Sequence, residues 1–182
     1  GNTFPATAVP FGFNFWTPIN RQDKNWFYQF RTTTGYPTDG GNLIDKVTDF
    51  AVVHEPSPWI GNRQSLSIMP ISNTSETSHG DRGETFSRAN EIAKAHYYSL
   101  KFDNGVRTEI TPTERAAVFR FTAAEGSEVQ TILFDRFARI GAGDLQIIDL
   151  EKGIIQGFTD FRDDKNAPPL YFYVIFSSPI KS

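Results

Sequence analysis

Seven residues in the middle of the chain decide the fold class: His96-Tyr97-Tyr98-Ser99-Leu100-Lys101-Phe102, or HYYSLKF. Every second residue is large and apolar, namely Tyr98, Leu100 and Phe102, and the residues between them include a serine and a lysine. Successive side chains of a β-strand point to opposite faces, so this alternation predicts a strand with one buried face and one solvated face.

Runs of similar length and composition recur on both sides of this stretch. Turn-forming triplets such as Asp103-Asn104-Gly105 and Glu125-Gly126-Ser127 separate several of them. Many short strands joined by turns are typical of an all-β fold, and we expect an antiparallel β-sandwich. The predicted strands cover residues 47–53, 64–70, 96–102, 106–112, 116–122, 129–135, 144–149, 153–161 and 169–177.

Two segments do not follow the alternating pattern. Residues 72–90 are polar and poor in large apolar side chains, which predicts an exposed loop, and residues 87–94 are compatible with one helical turn. Residues 170–176, LYFYVIF, are apolar on both faces, which predicts a central strand covered on each side. A neighbouring domain or a long loop is needed to cover its second face.

Length and composition exclude several functional classes. A chain of 182 residues is expected to form a single domain over residues 1–182. Its 18 Lys and Arg against 21 Asp and Glu give a net charge of −3, and no basic run beside stacking aromatics indicates nucleic-acid binding. The chain has no cysteine and no apolar run of the roughly 18 residues that a membrane span needs. Gly1 and the lack of a signal peptide indicate a piece of a longer protein.

Residues 54–62, HEPSPWIGN, concentrate groups that bind sugars. Pro56 and Pro58 restrict the backbone and Gly61 permits a bend, so the loop loses little conformational entropy when it holds a ligand. The indole of Trp59 suits the C–H face of a sugar, and the side chains that suit its hydroxyls are His54, Glu55 and Asn62. The alternative is that Trp59 fills the core, His54 is structural and Glu55 is a solvated charge.

A second aromatic and polar cluster lies near the amino terminus, in FGFNFWTP at residues 11–18. If this run is a strand, Phe11, Phe13 and Phe15 share one face, while Asn14 and Trp16 share the other. Asn14 and Trp16 are therefore candidates for the ligand side. Packing in the core or against another domain is the favoured alternative for Trp16.

Acidic residues also occur in two clusters, which are Asp160, Asp163 and Asp164 in one case, and Glu109 with Glu114 in the other. A glycosidase needs two carboxyl groups within roughly 10 Å of each other, and neither cluster shows this from its spacing. The segment TDFRDDKN lacks the ligand spacing of a calcium loop and is better interpreted as a charged hairpin tip. The three histidines show no metal-binding spacing, and we expect no metal in this chain.

Several strings together resemble one family. They are NTFPATAVPFG at 2–12, HEPSPWIGN and SLSIMP at 54–62 and 65–70, FSRANEIAKAHYYSLKF at 86–102, and TEITPTERAAVFRF at 108–121. In this order they are similar to the amino-terminal domain of bacterial exo-α-mannosidases of glycoside hydrolase family 92. Two features depart from the family pattern: Asn62 stands where an aspartate is common, and the Asn-Pro-Phe-Ile-Gly-Thr element before this region is missing.

The resemblance implies a supersandwich-like domain that precedes a larger (α/α)6 barrel. It further implies calcium-dependent, inverting removal of terminal α-mannose from glycans, with calcium, general acid and general base in the barrel. The loop at 54–62 is then implied to wall the mannose pocket, with Trp59, His54 and Asn62 as substrate contacts. A secreted, periplasmic or cell-surface location in a bacterium is also implied.

Three functional hypotheses therefore stay open. The first is a mannosidase domain that contributes substrate contacts but no catalytic group. The second is an autonomous carbohydrate-binding module that uses the same loop. The third is a structural sandwich that supports a partner domain, with Trp59 packed inside.

Overall fold

The fold is taken from a computed structural model of the chain. It describes residues 5–10, 12, 14–20, 28, 46–57, 61–72, 74–75, 77–78, 82–126, 131–136, 143–159 and 169–181. For residues 53–57, 61–65, 136 and 143 it describes the backbone alone. In these ranges no helix is long and apolar enough to cross a membrane.

The described elements are all β-strands, and every recorded pairing between them is antiparallel, which confirms the predicted fold class. They form three sheets with the orders β1-β3-β4-β9, β2-β5-β6-β7-β8 and β10-β11-β12. The strands are β1 (Phe15–Ile19), β2 (Lys46–Val47), β3 (Asp49–Ser57), β4 (Gly61–Ile71), β5 (Glu84–Lys94), β6 (Tyr97–Phe102), β7 (Arg107–Pro112), β8 (Ala117–Thr122), β9 (Thr131–Arg136), β10 (Gly143–Asp149), β11 (Ile154–Thr159) and β12 (Leu170–Ile175).

The chain divides into two compact units, Gly1–Asp135 and Arg136–Ser182. The first contains the four-stranded and five-stranded sheets, and the second contains the three-stranded sheet. The expectation of one domain over residues 1–182 stays a prediction.

In the first unit, the two sheets pack face to face through aromatic side chains. The ring centroid of Phe50 on β3 lies 5.9 Å from that of Tyr98 and 6.2 Å from that of Phe102, both on β6. Tyr98, Leu100 and Phe102 are all buried, as the alternation in HYYSLKF predicts. The apolar faces of two antiparallel sheets thus cover each other, which is the arrangement of a β-sandwich.

Strand β5 corrects the sequence-based expectation for this region. The predicted loop is wrong from residue 84 onward, and so is the helical turn at 87–94, because Glu84–Lys94 is a strand paired with β2 and β6. Its register shifts between Phe86 and Glu91, whose partners are Phe102 and Leu100, so residues 87–90 form a bulge. These four residues are exposed and polar or small, and their strand conformation comes from pairing with β6.

The inward side of β5 carries a buried carboxylate. Glu91 Oε1 accepts hydrogen bonds from the hydroxyls of Tyr28, at 2.9 Å, and Tyr98, at 2.8 Å. Burial, together with the neighbouring Glu91 charge, raises the pKa of both phenols. Both phenols therefore stay protonated at neutral pH, and each can donate to Glu91.

A buried ion-pair network ties the segment before β5 to the four-stranded sheet. Arg82 forms ion pairs with Asp49 on β3 and, at 2.8 Å, with Asp135 on β9. Its guanidinium also donates to the carbonyl oxygens of residues 77 and 48, at 3.0 and 3.3 Å. Ser67 on β4 donates to Asp49 at 2.8 Å. The end of the segment predicted as an exposed loop is thus held by a side chain that lies inside the unit.

The second unit corrects the prediction for the last apolar run. Strand β12 lies at the edge of a three-stranded sheet, not at its centre, because β11 is its only partner among the described strands. Its side chains alternate: Tyr171, Tyr173 and Ile175 are 74%, 59% and 67% exposed. The side chains between them are half-buried. The described residues of the chain therefore do not cover the apolar face that Tyr171, Tyr173 and Ile175 form.

Candidate functional site

The residues predicted to hold a sugar lie on a β-hairpin. His54 and Glu55 belong to the end of β3, and Asn62 belongs to the start of β4. Ser57 pairs with Gly61 and Pro56 pairs with Asn62, so the two strands are joined by residues 58–60 at one end of the sheet. The connection predicted over residues 54–62 is therefore shorter than expected, because residues 54–57 belong to β3 and residues 61–62 belong to β4. Trp59 lies outside the described residues, as do the side chains of His54, Glu55 and Asn62.

The hairpin is irregular where these residues occur. Val52 pairs with Leu66 but Val53 pairs with Gln64, and the next pair after that is Pro56 with Asn62. Each shift leaves one extra residue on one strand: the first lies between Val52 and Val53, and the second lies between Val53 and Pro56, at His54 and Glu55 themselves. Bulges bend and twist a strand, and they are over-represented beside functional sites because they re-aim side chains. Pro56 lacks a backbone N–H and fits such an interruption.

Asn14 lies at the same end of the sheet as the hairpin. Strand β1 pairs with β3 so that Phe15 is opposite Val53. Continuing this register by one residue places Asn14 at the level of His54. The sequence pattern alone did not place these two clusters side by side, and the pairing of β1 with β3 does so.

Trp16 is a packing residue in this arrangement, and only 7% of its surface is exposed. Its ring meets that of Phe119 edge to face, with centroids 4.7 Å apart and planes at 80°. Its indole N–H donates to Asn14 Oδ1 at 2.8 Å. Since both the ring and the polar atom of Trp16 have partners within the chain, the geometry favours the packing alternative for this residue.

Four hydrogen bonds to backbone carbonyl oxygens fix the start of β1 at this end of the unit. Asn14 Nδ2 donates to the carbonyl oxygen of Thr113, at 3.3 Å, in the turn between β7 and β8. Thr7 exchanges two backbone hydrogen bonds with Trp16, at 2.9 and 3.0 Å, and its hydroxyl donates to the carbonyl oxygen of Ala95. Sequence reasoning missed Thr7 and Thr113, and no signal marked them, because the contacts join residues 88 and 99 positions apart.

The acidic clusters are only partly described. Glu109 on β7 is held by Arg120, whose Nε and Nη2 donate to its two carboxylate oxygens at 2.6 and 2.7 Å. Tyr97 donates a third hydrogen bond, at 2.6 Å. These hydrogen bonds lower the pKa of Glu109 from 4.5 to about 2, so it is ionised at neutral pH and unsuited to act as a general acid. Glu114 is exposed in the following turn, and Asp160, Asp163 and Asp164 lie outside the described residues.

The Glu109 network predicts a pH-dependent contribution to stability. Its folded-state pKa lies below the ordinary 4.5, so the stabilisation is present above about pH 4.5 and is lost as the pH falls towards 2. We expect Glu109→Gln to lower the free energy of unfolding by about 1 kcal/mol at pH 7, the size of an exposed ion-pair network. The difference should shrink as the pH falls, in urea titrations at pH 7, 5 and 3.

Glu114→Gln is the matched control, because it removes the same charge from an exposed turn without hydrogen-bond partners on the sheet. Its stability should follow that of the unmodified chain at each pH. A Glu109→Gln difference that stayed constant from pH 7 to 3 would contradict the proposed linkage.

In the described part of the chain, no group of three or more His, Cys, Asp or Glu side chains is placed to hold a metal ion.

Comparison with solved structures gives the same fold. An inverting mannosidase of family GH92 from Bacteroides thetaiotaomicron, BT2199, superposes with a TM-score of 0.75 at 32% sequence identity, over 95% of this chain and 22% of that chain. The GH92 α-mannosidase BT3965 from the same organism, in complex with mannoimidazole, superposes with a TM-score of 0.62 at 21% identity, over 87% of this chain and 21% of that one. The second likeness shows the fold alone.

Sequence comparison extends the relation to another organism. An uncharacterized secreted glycosidase of Arthroderma benhamiae is 25% identical over an alignment of 149 residues, which covers 74% of this chain and 18% of that protein. The chain thus spans about a fifth of the length of these relatives. The family described as the glycosyl hydrolase family 92 N-terminal domain matches residues 1–182. The antiparallel sandwich, its superposition on the mannosidase BT2199 and this match over the whole sequence agree, and the chain belongs to the glycosyl hydrolase family 92 N-terminal domain family.

Proposed function

We propose that this chain is the amino-terminal β-sandwich domain of an α-mannosidase that hydrolyses terminal α-mannose from glycans. In this proposal it supplies contacts to the substrate pocket and no catalytic acid or base. One observation carries the proposal: the irregular β3–β4 hairpin holds HEPSPWIGN at one end of the sheet, in a chain 32% identical to a segment of an inverting mannosidase.

The hairpin residues have distinct roles in this proposal. Trp59 stacks on the C–H face of the terminal sugar, while His54, Glu55 and Asn62 bond its hydroxyls. The amide of Asn62 both donates and accepts, so it suits a hydroxyl that does the same. Asn14 borders the pocket through its second N–H, since its Oδ1 and one amide hydrogen are already bonded to Trp16 and Thr113.

We further propose that Trp16 does not contact the sugar itself but positions Asn14, which does. It is buried against Phe119 and orients Asn14 beside the hairpin. A mobile Asn14 would have to be ordered when the sugar binds, whereas an amide already bonded on both sides is positioned in advance. The sugar-binding assignment from sequence thus becomes a supporting role for this residue.

The missing part of the pocket is assigned to a partner domain. We propose a carboxy-terminal (α/α)6 catalytic domain that holds calcium and the catalytic acid and base. The exposed face of β12, with Tyr171, Tyr173 and Ile175, is an apolar surface suited to such a contact. The parent enzyme is proposed to act outside the cytoplasm, in line with the secreted relative from Arthroderma benhamiae.

The test uses the parent enzyme, with the catalytic domain joined to this chain, on an aryl α-mannoside. Trp59→Ala is expected to lower kcat/KM about 10- to 100-fold, because the burial of a large side chain contributes about 1.5–3 kcal/mol and 1.4 kcal/mol is tenfold. Val118→Ala, an exposed apolar position on β8, is the control and should leave kcat/KM unchanged. Unchanged kcat/KM in Trp59→Ala would contradict the pocket assignment.

The chain alone separates the remaining hypotheses. We expect no hydrolysis and feeble binding of mannose, because half a pocket buries too little of the ligand to offset its lost translational freedom. Hydrolysis by the isolated chain would overturn the proposal. Calorimetry that gave a millimolar or tighter affinity for mannobiose, lost in Trp59→Ala, would instead identify an autonomous carbohydrate-binding module.

A further inference from the structure

The outer face of the five-stranded sheet is strongly basic in a chain of net charge −3. The pairing registers place four cationic residues of β5 to β8 on this face, against the single carboxylate of Glu109. Positive charge therefore predominates among the described residues of this face, which attracts anions. The four cationic residues are Lys94, Lys101, Arg107 and Arg120.

One end of this face contains an open depression of about 230 Å³. Lys101 from β6, Arg107 from β7 and Thr122 from β8 line it, and Glu125 also borders it. The floor is formed where the β6–β7 turn approaches the end of β8. Gly105 has φ +90°, and a Cβ at this position would lie 2.7 Å from Cβ of Ala124. Any side chain at residue 105 would therefore be strained, and the close approach requires glycine.

The two cations in the depression are direct neighbours across strands. Lys101 is the register partner of Arg107, and Arg107 is the register partner of Thr122. Like charges directly opposite each other in a sheet are destabilising. In the described residues neither cation has an ion-pair partner within 4.0 Å, whereas Arg120, on the same face, is paired with Glu109.

Glu109 does not neutralise this pair. Both of its oxygens are bonded by Arg120 and Tyr97, and Arg107 acts on it only at longer range. Glu125 offsets one of the two positive charges at the border of the depression. One positive charge and a hydroxyl donor are left in a concave site, which suits a small anion with several acceptor oxygens.

We propose that Lys101, Arg107 and Thr122 bind an oxyanion, the phosphoryl or carboxylate group of a charged ligand. Arg107 presents a planar fork of N–H donors that matches two oxygens of such a group. Lys101 adds a point charge, and the Thr122 hydroxyl donates a hydrogen bond. The depression adjoins the β6–β7 turn, at the opposite end of β6 and β7 from the turn that contacts Asn14. The site is therefore separate from the β3–β4 hairpin.

The experiment is an NMR titration of the isotope-labelled chain at low ionic strength with inorganic phosphate, glucuronate and methyl α-mannoside. Phosphate or glucuronate should shift the amides around residues 101, 107 and 122 saturably, with a dissociation constant of about 1–10 mM for an exposed site of this kind. The neutral mannoside should leave these amides unchanged. Saturation by phosphate alone indicates a phosphoryl ligand, and saturation by glucuronate alone indicates a carboxylate ligand.

The double variant Lys101→Gln with Arg107→Gln should weaken binding at least tenfold. Arg115→Gln with Lys181→Gln makes the same change in net charge at exposed positions that do not line the depression, so its affinity should be unchanged. Equal weakening in both double variants would overturn the proposal, since general charge screening explains it. The absence of saturable shifts with both anions would overturn it as well. Neither result bears on the mannoside assay of Trp59→Ala.

Discussion

Replacing Arg82 by alanine is expected to lower the free energy of unfolding by about 3–5 kcal/mol, the cost of breaking a buried ion pair from one side. Only 3% of Arg82 and 1% of Asp49 are exposed, and Arg82 also pairs with Asp135. Truncation leaves the Asp49 carboxylate without its charge partner in a region that excludes water. The hydrogen bond that Ser67 donates to Asp49 does not replace the positive charge of the guanidinium.

Urea denaturation of the chain at pH 7 measures this effect. Arg115→Ala is the matched control, because Arg115 is exposed in the turn between β7 and β8 and its truncation should change stability by less than about 1 kcal/mol. The double variant Arg82→Met with Asp49→Leu should recover much of the loss, since an uncharged pair removes the uncompensated charge. A loss below about 1 kcal/mol in Arg82→Ala would show that the network contributes little to the fold.

Replacing Phe50 by alanine is expected to cost a similar amount, about 3–5 kcal/mol. Phe50 is fully buried on β3, and its ring contacts both Tyr98 and Phe102 on β6. The substitution removes one of the apolar contacts between the two sheets and leaves a cavity, because the neighbouring rings relax only partly. Phe50→Leu keeps most of the volume and should cost less than half as much.

Urea denaturation at pH 7 also measures the stability of the Phe50→Ala and Phe50→Leu variants. Val118→Ala, at an apolar position that is 67% exposed, should stay within about 0.5 kcal/mol of the unmodified chain. Phe50→Ala should also lower the unfolding midpoint without changing the folded far-ultraviolet spectrum at low denaturant, which reports the strands. A loss as small as that of Val118→Ala would mean that Phe50 does not join the sheets as described.

The sequence predicted those strands in which apolar and polar residues alternate, because this order alone decides which side chains are buried. In β6 and β7 the apolar positions alternate with polar ones, and burial follows that order, with Tyr98, Leu100 and Ile110 inside. The signal is reliable there because one residue of shift would move the whole apolar set to the wrong face. Strands β8, β10 and β11 also overlap predicted ranges, namely residues 116–122, 144–149 and 153–161.

The sequence failed where a strand depends on its neighbours. Strand β5 has four exposed polar or small residues in a bulge, so no period of two is visible, and it forms because β6 offers it a pairing edge. Strand β12 is apolar on both faces, yet it lies at a sheet edge with Tyr171 and Tyr173 exposed. The sequence of a strand shows that its face is apolar, but it does not show whether another part of the same chain packs against that face.

For the candidate site, the sequence determined the chemistry and the tertiary structure determined the grouping. HEPSPWIGN alone indicated sugar-binding groups on a stiffened loop, because the side chains and the prolines are local properties. That Asn14 lies beside this hairpin, that Trp16 is buried against Phe119, and that Arg82 neutralises Asp49 were decided only by strand pairing and packing. Most of these contacts join residues that are far apart in the chain. A local sequence pattern cannot show which distant residues meet, because only the folded chain brings them together.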